Sequence, residues 1–264
     1  MDEVEQFTVV SEDGTVIAAE RRPGPGQAVL LVHGVAMDRR VWTDSGFLAA
    51  LPADADVTSV DLRGRGDSGP GGAAAAHAPH RYTADLRAVL DHLGHRRCTV
   101  IGLYYGGRVA LSVAAADARI SRVVSFCAHA EAVVIPGDAV EEEARAVEGP
   151  DGAEYLRDNF VAKGAPPWMV DACDRVDRRE LGHATRGLLL GGEREVPRGF
   201  PDQEVVLVGA SGDADLAPFR AGERRLGAQL WLLDAESRVK AAAQLAEVAR
   251  VIPAGTAATG RAPG

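Results

Sequence analysis

The sequence predicts an α/β fold: a mostly parallel, doubly wound sheet of about eight strands, helices on both faces, and a helical lid inserted late in the chain. Three observations predict it. Short apolar runs such as Ala28-Val29-Leu30-Leu31-Val32 lack polar alternation, the pattern of strands buried on both faces of a parallel sheet. They alternate with segments whose apolar residues recur at helical spacing, as Leu86, Val89, Leu90 and Leu93 do. Between residues 99 and 111 an apolar strand turns abruptly into an Ala- and Leu-rich helix, with glycines on both sides of the turn.

Taken in order, residues 6–11 and 16–21 flank Asp13-Gly14, a strong hairpin signal. Gly24-Pro25-Gly26 breaks the chain before the strand at 28–32, which runs into His33-Gly34-Val35 and a predicted helix over 39–51. A strand at 57–61 leads into Leu62-Arg63-Gly64-Arg65-Gly66-Asp67-Ser68-Gly69, and residues 71–79 read as a small-residue loop. Helical periodicity over 82–93 precedes the strand that ends at Leu103 and the helix that reaches residue 115. After a strand at 123–128 the pattern changes: charges cluster at Glu141-Glu142-Glu143 and over 175–180, prolines interrupt, and strand signals vanish. Helical fragments such as 153–161 fit a lid over 131–201. Strands at 204–208 and 229–233 and a helix at 241–251 complete the core, so that 1–130 and 202–252 form one domain. Residues 253–264 offer nothing to bury and are expected to be a disordered tail.

The length, 264 residues, suits one large domain carrying a lid, and a 46% hydrophobic content supplies a sizeable core. The net charge of −9 argues against nucleic acid or an anionic membrane as partner. Lysine occurs only at Lys163 and Lys240, and with the many Ala and Gly this fits GC-rich coding and not a binding surface. No apolar run approaches a membrane span and the start, Met1-Asp2-Glu3, is acidic, so neither anchor nor signal peptide is expected and a cytoplasmic location follows. Cys98, Cys127 and Cys173, odd in number, read as reduced core residues.

A strand–turn–helix of this kind, written G-x-S-x-G, is a nucleophile elbow. Here it reads Gly102-Leu103-Tyr104-Tyr105-Gly106: the glycines are kept and the serine position holds Tyr104. With Leu31-Val32-His33-Gly34-Val35 before it, Asp61-Leu62-Arg63-Gly64-Arg65-Gly66-Asp67-Ser68-Gly69 between, and Ser211-Gly212-Asp213-Ala214-Asp215-Leu216-Ala217-Pro218 after it, the chain resembles the α/β-hydrolase fold family over residues 5–252. The resemblance implies an attacking residue at the elbow, a late histidine that takes its proton, and an acid that orients the histidine. It places Asp215 at the acid and makes His33, Gly34 and Val35, with the backbone N–H of Tyr105, the oxyanion segment. The seven histidines, His33, His77, His80, His92, His95, His129 and His183, all precede Asp215, and residues 233–239 contain none. A standard serine esterase mechanism is therefore not available. Gly64-Arg65-Gly66-Asp67-Ser68-Gly69 also fits G-x-G-x-x-G, but Pro70-Gly71-Gly72 cannot open the helix that a dinucleotide site needs.

An unperturbed phenol ionises near pH 10, so ionising it at neutral pH costs roughly 4 kcal/mol. Tyr104 is thus expected to act as a neutral hydrogen-bond donor or acid, and His129, after the strand at 123–128, as the candidate base. Asp215 is the second candidate base and is expected to pair with Arg238 in the loop that normally carries the histidine. His33 is expected to shape the oxyanion loop. Trp42, Phe126, Trp168 and Met169 are candidates to line an apolar pocket, with core packing an equal alternative. His77 with His80, and His92 with His95, have i,i+3 spacing but lack Cys or carboxylate partners, so no metal is expected, and no cofactor.

Three functional readings remain open: a cofactor-free, non-hydrolytic cyclase, lyase or isomerase acting on a small, partly apolar carbonyl compound; a ligand-binding protein without turnover; and a hydrolase with a non-standard mechanism. The partner in each is a small molecule, and the oligomeric state is open.

Overall fold

The computed structural model describes residues 4–132, 135–189, 199–200 and 202–251. Eight strands form one sheet in the order β1-β2-β4-β3-β5-β6-β7-β8: β1 (Glu5–Val10), β2 (Val16–Arg22), β3 (Ala28–Val32), β4 (Asp56–Val60), β5 (Cys98–Leu103), β6 (Ile120–Phe126), β7 (Glu204–Ala210) and β8 (Gln229–Leu233). The first two strands form the hairpin turned by Asp13-Gly14, with Gly14 at φ 88, and β2 pairs antiparallel with β4. From β4 onward all pairing is parallel, as the unbroken apolar runs require.

The period of two along each strand divides the core into two layers. Leu30, Val32, Val100, Val123, Val205 and Leu207 face the helices α3 (Pro79–Leu93), α4 (Tyr105–Ala116) and α9 (Ala217–Leu226). Their neighbours Val29, Leu31, Ile101, Val124, Val206 and Val208 face α1 (Val41–Asp44), α2 (Phe47–Ala50), α10 (Arg238–Ala241) and the 3-10 stretch Ala242–Val251. The helix predicted over 39–51 is two short ones, because Gly46 takes φ 75 and turns the chain between them.

Between β6 and β7 lie α5 (Gly137–Glu148), α6 (Gly152–Ala162), α7 (Pro167–Ala172) and α8 (Arg178–Leu189), so Glu141-Glu142-Glu143 falls within α5 and the charges over 175–180 lead into α8. Arg186 bridges α8 to Glu141 and Glu148 of α5, at 2.8 and 2.5 Å. Arg175 ties this insertion to the core through Asp38 at 2.8 Å and Asp44 at 3.1 Å. The expected tail at 253–264 lies outside the described residues. No helix among the described residues is long and apolar enough to cross a membrane.

Candidate functional site around the elbow

The turn between β5 and α4 holds Tyr104 at φ 51, ψ −117, a strained conformation for a residue with a side chain. Close packing enforces it. A Cβ on Gly102 would lie 2.1 Å from the Gly106 carbonyl oxygen, and one on Gly106 would lie 2.2 Å from that of Val32. The Tyr104 N–H donates to the Phe126 carbonyl at 2.8 Å, which locks the elbow to the end of β6.

The Tyr104 hydroxyl donates to the backbone carbonyl of Arg238 at 2.9 Å. Cys127, at φ 57 just past β6, gives its thiol to the same oxygen at 3.4 Å. Arg238 is gripped from the other side too: its N–H and its Nε reach Asp213 Oδ2 at 3.0 and 2.8 Å. Arg238 is therefore held on both sides, by the Asp213 carboxylate at its N–H and guanidinium and by the phenol at its carbonyl. Burial pushes the Tyr104 hydroxyl well above pH 10, Cys127 adds to the rise, and Arg238 opposes it. Burial raises the Cys127 thiol as well. Both groups are therefore protonated donors at neutral pH.

The expected Asp215–Arg238 pair is present at 3.4 Å, but Asp215 is 52% exposed. Asp213, whose side chain is 7% exposed, is the firmer partner. Sequence reasoning missed Asp213 because the two carboxylates stand two residues apart in one turn, and only packing separates them. Asp215 Oδ2 lies 4.0 Å from His129 Nε2, so Tyr104, Arg238, Asp215 and His129 follow one another in a line of contacts. His129 Nδ1 accepts the Glu131 N–H at 3.2 Å, which puts the imidazole proton on Nε2, facing Asp215. Burial and then Arg108 hold its pKa below the usual value, with Asp215 opposing.

His33 is fully buried and neutral: Nδ1–H donates to the Gly34 carbonyl at 2.7 Å and Nε2 accepts the Leu62 N–H at 3.0 Å. It stitches the loop after β3 to the loop after β4. Gly34 sits against the elbow, since a Cβ there would be 3.5 Å from the Leu103 carbonyl. Val35 and Tyr105 are both half-buried.

Of the apolar candidates, Trp168 of α7 is half-buried and packs on the same layer as Tyr104, Phe160 and Val239. Trp42, Phe126 and Met169 have no exposed surface. Trp42 is core, its ring tilted against that of Phe47 with centroids 5.0 Å apart, and offers no face to a ligand. The G-x-G-x-x-G stretch folds back on itself: Gly64 N–H meets the Gly69 carbonyl at 2.9 Å, and Asp61 accepts the Arg39 and Asp67 N–H groups at 2.7 and 2.9 Å. No cluster of three metal-ligating side chains occurs among the described residues. A groove of about 1280 Å³ along α3 and α4 is lined by Tyr105, Arg108 and His129, and Tyr104, Asp215 and Arg238 are not among its lining residues.

A family model described as alpha/beta hydrolase fold matches residues 27–172. The bottromycin epimerase BotH, solved in complex with bottromycin A2, is 64% identical, with a TM-score of 0.91 over 94% of this chain and 97% of that one. An enol-lactonase from Burkholderia xenovorans LB400 shares the fold at 19% identity, with a TM-score of 0.77 over 93% of this chain and 97% of that one. The chain spans about a third of the length of the curated relatives it matches. Among them is epoxide hydrolase 4 of Mus musculus, 31% identical over 98 residues, 37% of this chain and 26% of that protein.

Proposed function

The chain belongs to the α/β-hydrolase fold family, and from that premise we propose that it is a non-hydrolytic epimerase acting on bottromycin or a molecule of its class. The likeness to BotH, 64% identical along nearly the whole chain, carries the reading. Tyr104 at the elbow supports it, because a phenol held far above its usual pKa forms no acyl intermediate at neutral pH.

Epimerisation removes a proton from a carbon beside an electron-withdrawing group and returns one to the opposite face, so charge develops on the neighbouring heteroatom. In this reading the triad positions of the family are recast. The backbone N–H groups of Val35 and Tyr105 polarise the substrate carbonyl. The Tyr104 hydroxyl, which serves the Arg238 carbonyl in the free protein, swaps to the substrate oxygen. That exchange of acceptors requires no ionisation. Asp215 is the base that takes the proton, since His129 uses its Nδ1 lone pair on Glu131 and presents Nε2–H to Asp215, and a solvent water returns a proton to the opposite face of the carbon. Trp168 and Phe160, from the helices between β6 and β7, act as the apolar lid over the cleft.

Incubation with bottromycin A2 in deuterated water tests this. Uptake of one deuterium with formation of an epimer is expected, followed by NMR and mass spectrometry. A gain of the mass of water restores hydrolysis. Binding without exchange supports the second reading, a ligand-binding protein, which the commitment of the Tyr104 proton to Arg238 favours.

A further inference from the structure

A largely buried polar network reaches from the insertion toward the elbow. Glu180 of α8, 8% exposed, accepts the Gly71 N–H at 2.8 Å and the Gly72 N–H at 3.2 Å. The same carboxylate takes the His77 Nε2–H at 3.2 Å, and His77 Nδ1 accepts the Tyr82 hydroxyl at 2.7 Å. Gly64 is moulded to this seat: it takes φ 68, and a Cβ on it would lie 2.5 Å from Glu180 Oε2.

Two arms run from here to the cleft. Tyr82 packs edge-on against Tyr105, with ring centroids 5.8 Å apart. Arg65, 3% exposed, spends its guanidinium on two carbonyls, that of Val35 at 2.5 Å and that of Gly64 at 2.8 Å. Burial pulls the Arg65 pKa down, and the carboxylates of Glu180 and Asp177 oppose it. Glu180 packs against Gly64, whose carbonyl accepts from the Arg65 guanidinium, and so sets its charge beside the buried cation that holds one side of the cleft.

We propose that Glu180 is a positioning residue: seated from the insertion on Gly71, Gly72 and His77, it sets Val35 through Arg65 and Tyr105 through the His77–Tyr82 pair. The placement of the insertion and the geometry of the two oxyanion segments are then one event. A helix that lifts away takes the counter-charge of Arg65 with it and frees the Val35 peptide to turn. The catalytic part of this rests on the proposed contact of Val35 and Tyr105 with substrate; the mechanical part does not.

The test uses the full chain with Glu180→Gln and the charge-balanced double variant Arg65→Gln/Glu180→Gln. In ligand-free Glu180→Gln, amide hydrogen exchange over residues 33–37 and 104–107 is expected to quicken by about tenfold while strands β5 to β7 keep their protection. With bottromycin A2, kcat is expected to fall by about tenfold to a hundredfold with KM changed less than about threefold. The double variant is expected to recover the thermal midpoint but neither the protection at residues 33–37 nor kcat, because the grip on the Val35 carbonyl is gone. Unchanged exchange at both segments in Glu180→Gln, or recovery of protection by the double variant, overturns the proposal. Should Glu180→Gln fail to fold, Glu180→Asp, which keeps the charge but withdraws the carboxylate from Gly71 and Gly72, is read in its place with the same expected and overturning results. Should the wild type not turn bottromycin over, the exchange arm stands by itself and only the epimerase reading fails.

Discussion

Replacing Tyr104 with Phe removes one oxygen and leaves the edge-on contact with Phe126, at 6.5 Å between centroids, in place. The strained backbone is unaffected, since Phe and Tyr meet the same steric limits at φ 51. What is lost is the 2.9 Å hydrogen bond to the Arg238 carbonyl. That oxygen keeps the Cys127 thiol as a donor, so it is not left bare. The net cost is about 1 kcal/mol, which in a domain of this size lowers the melting temperature by about 2–4 °C. If the hydroxyl also meets charge that develops on substrate, the variant loses about 3–4 kcal/mol from the transition state, a fall in kcat of about 10²–10³. The two effects separate cleanly when thermal unfolding and deuterium uptake into bottromycin A2 are measured on the same preparation. A melting temperature lowered as expected with turnover within about twofold of wild type would refute the chemical role. Tyr104 would then be only the pin that holds the Arg238 loop.

Other perturbations follow from the same contacts. Asp213→Asn breaks an almost buried pair of charge-assisted bonds and is expected to cost about 1.5–3 kcal/mol in denaturant unfolding, whereas half-exposed Asp215→Asn costs about 0–1 kcal/mol. Equal costs would mean that Asp213 is not the anchor. Gly106→Ala forces a Cβ to 2.2 Å from the Val32 carbonyl and 2.4 Å from that of His33, so a loss of about 3 kcal/mol or more, read as soluble yield and denaturation midpoint, is expected. Burial, with Arg65 and Arg63, pulls His77 from 6.5 to about 4, against the pull of Glu180. In the window between those values the unfolded chain binds a proton that the folded chain refuses. Stability therefore falls as pH drops from 6.5 toward 4, by up to about 3 kcal/mol, and His77→Gln flattens that slope.

The sheet was legible in the sequence because burial on both faces leaves an unmistakable mark: runs such as 28–32 and 204–208 have no polar alternation, and helical spacing separates them. The elbow was legible for a steric reason. Gly102 and Gly106 are demanded by backbone atoms that approach to within about 2 Å of where a Cβ would stand, whatever residue sits between them. The helices between β6 and β7 were harder to read, since prolines and glycines such as Pro136, Gly149, Gly152 and Pro166 cut the insertion into short pieces. The break at Gly46 was missed because glycine in a helical run signals a bend only when tertiary packing asks for one.

The order of motifs along the chain determined the family, and the tyrosine at residue 104 determined that a serine cannot attack there. Neither depends on how side chains meet. Which carboxylate of Asp213 and Asp215 carries Arg238, which nitrogen of His129 keeps its proton, and that Trp42 is core were decided only by the fold. Each turns on distances and on exclusion of water between residues far apart in sequence, as with Glu180 against Arg65. A linear pattern records the period of burial but not the partner.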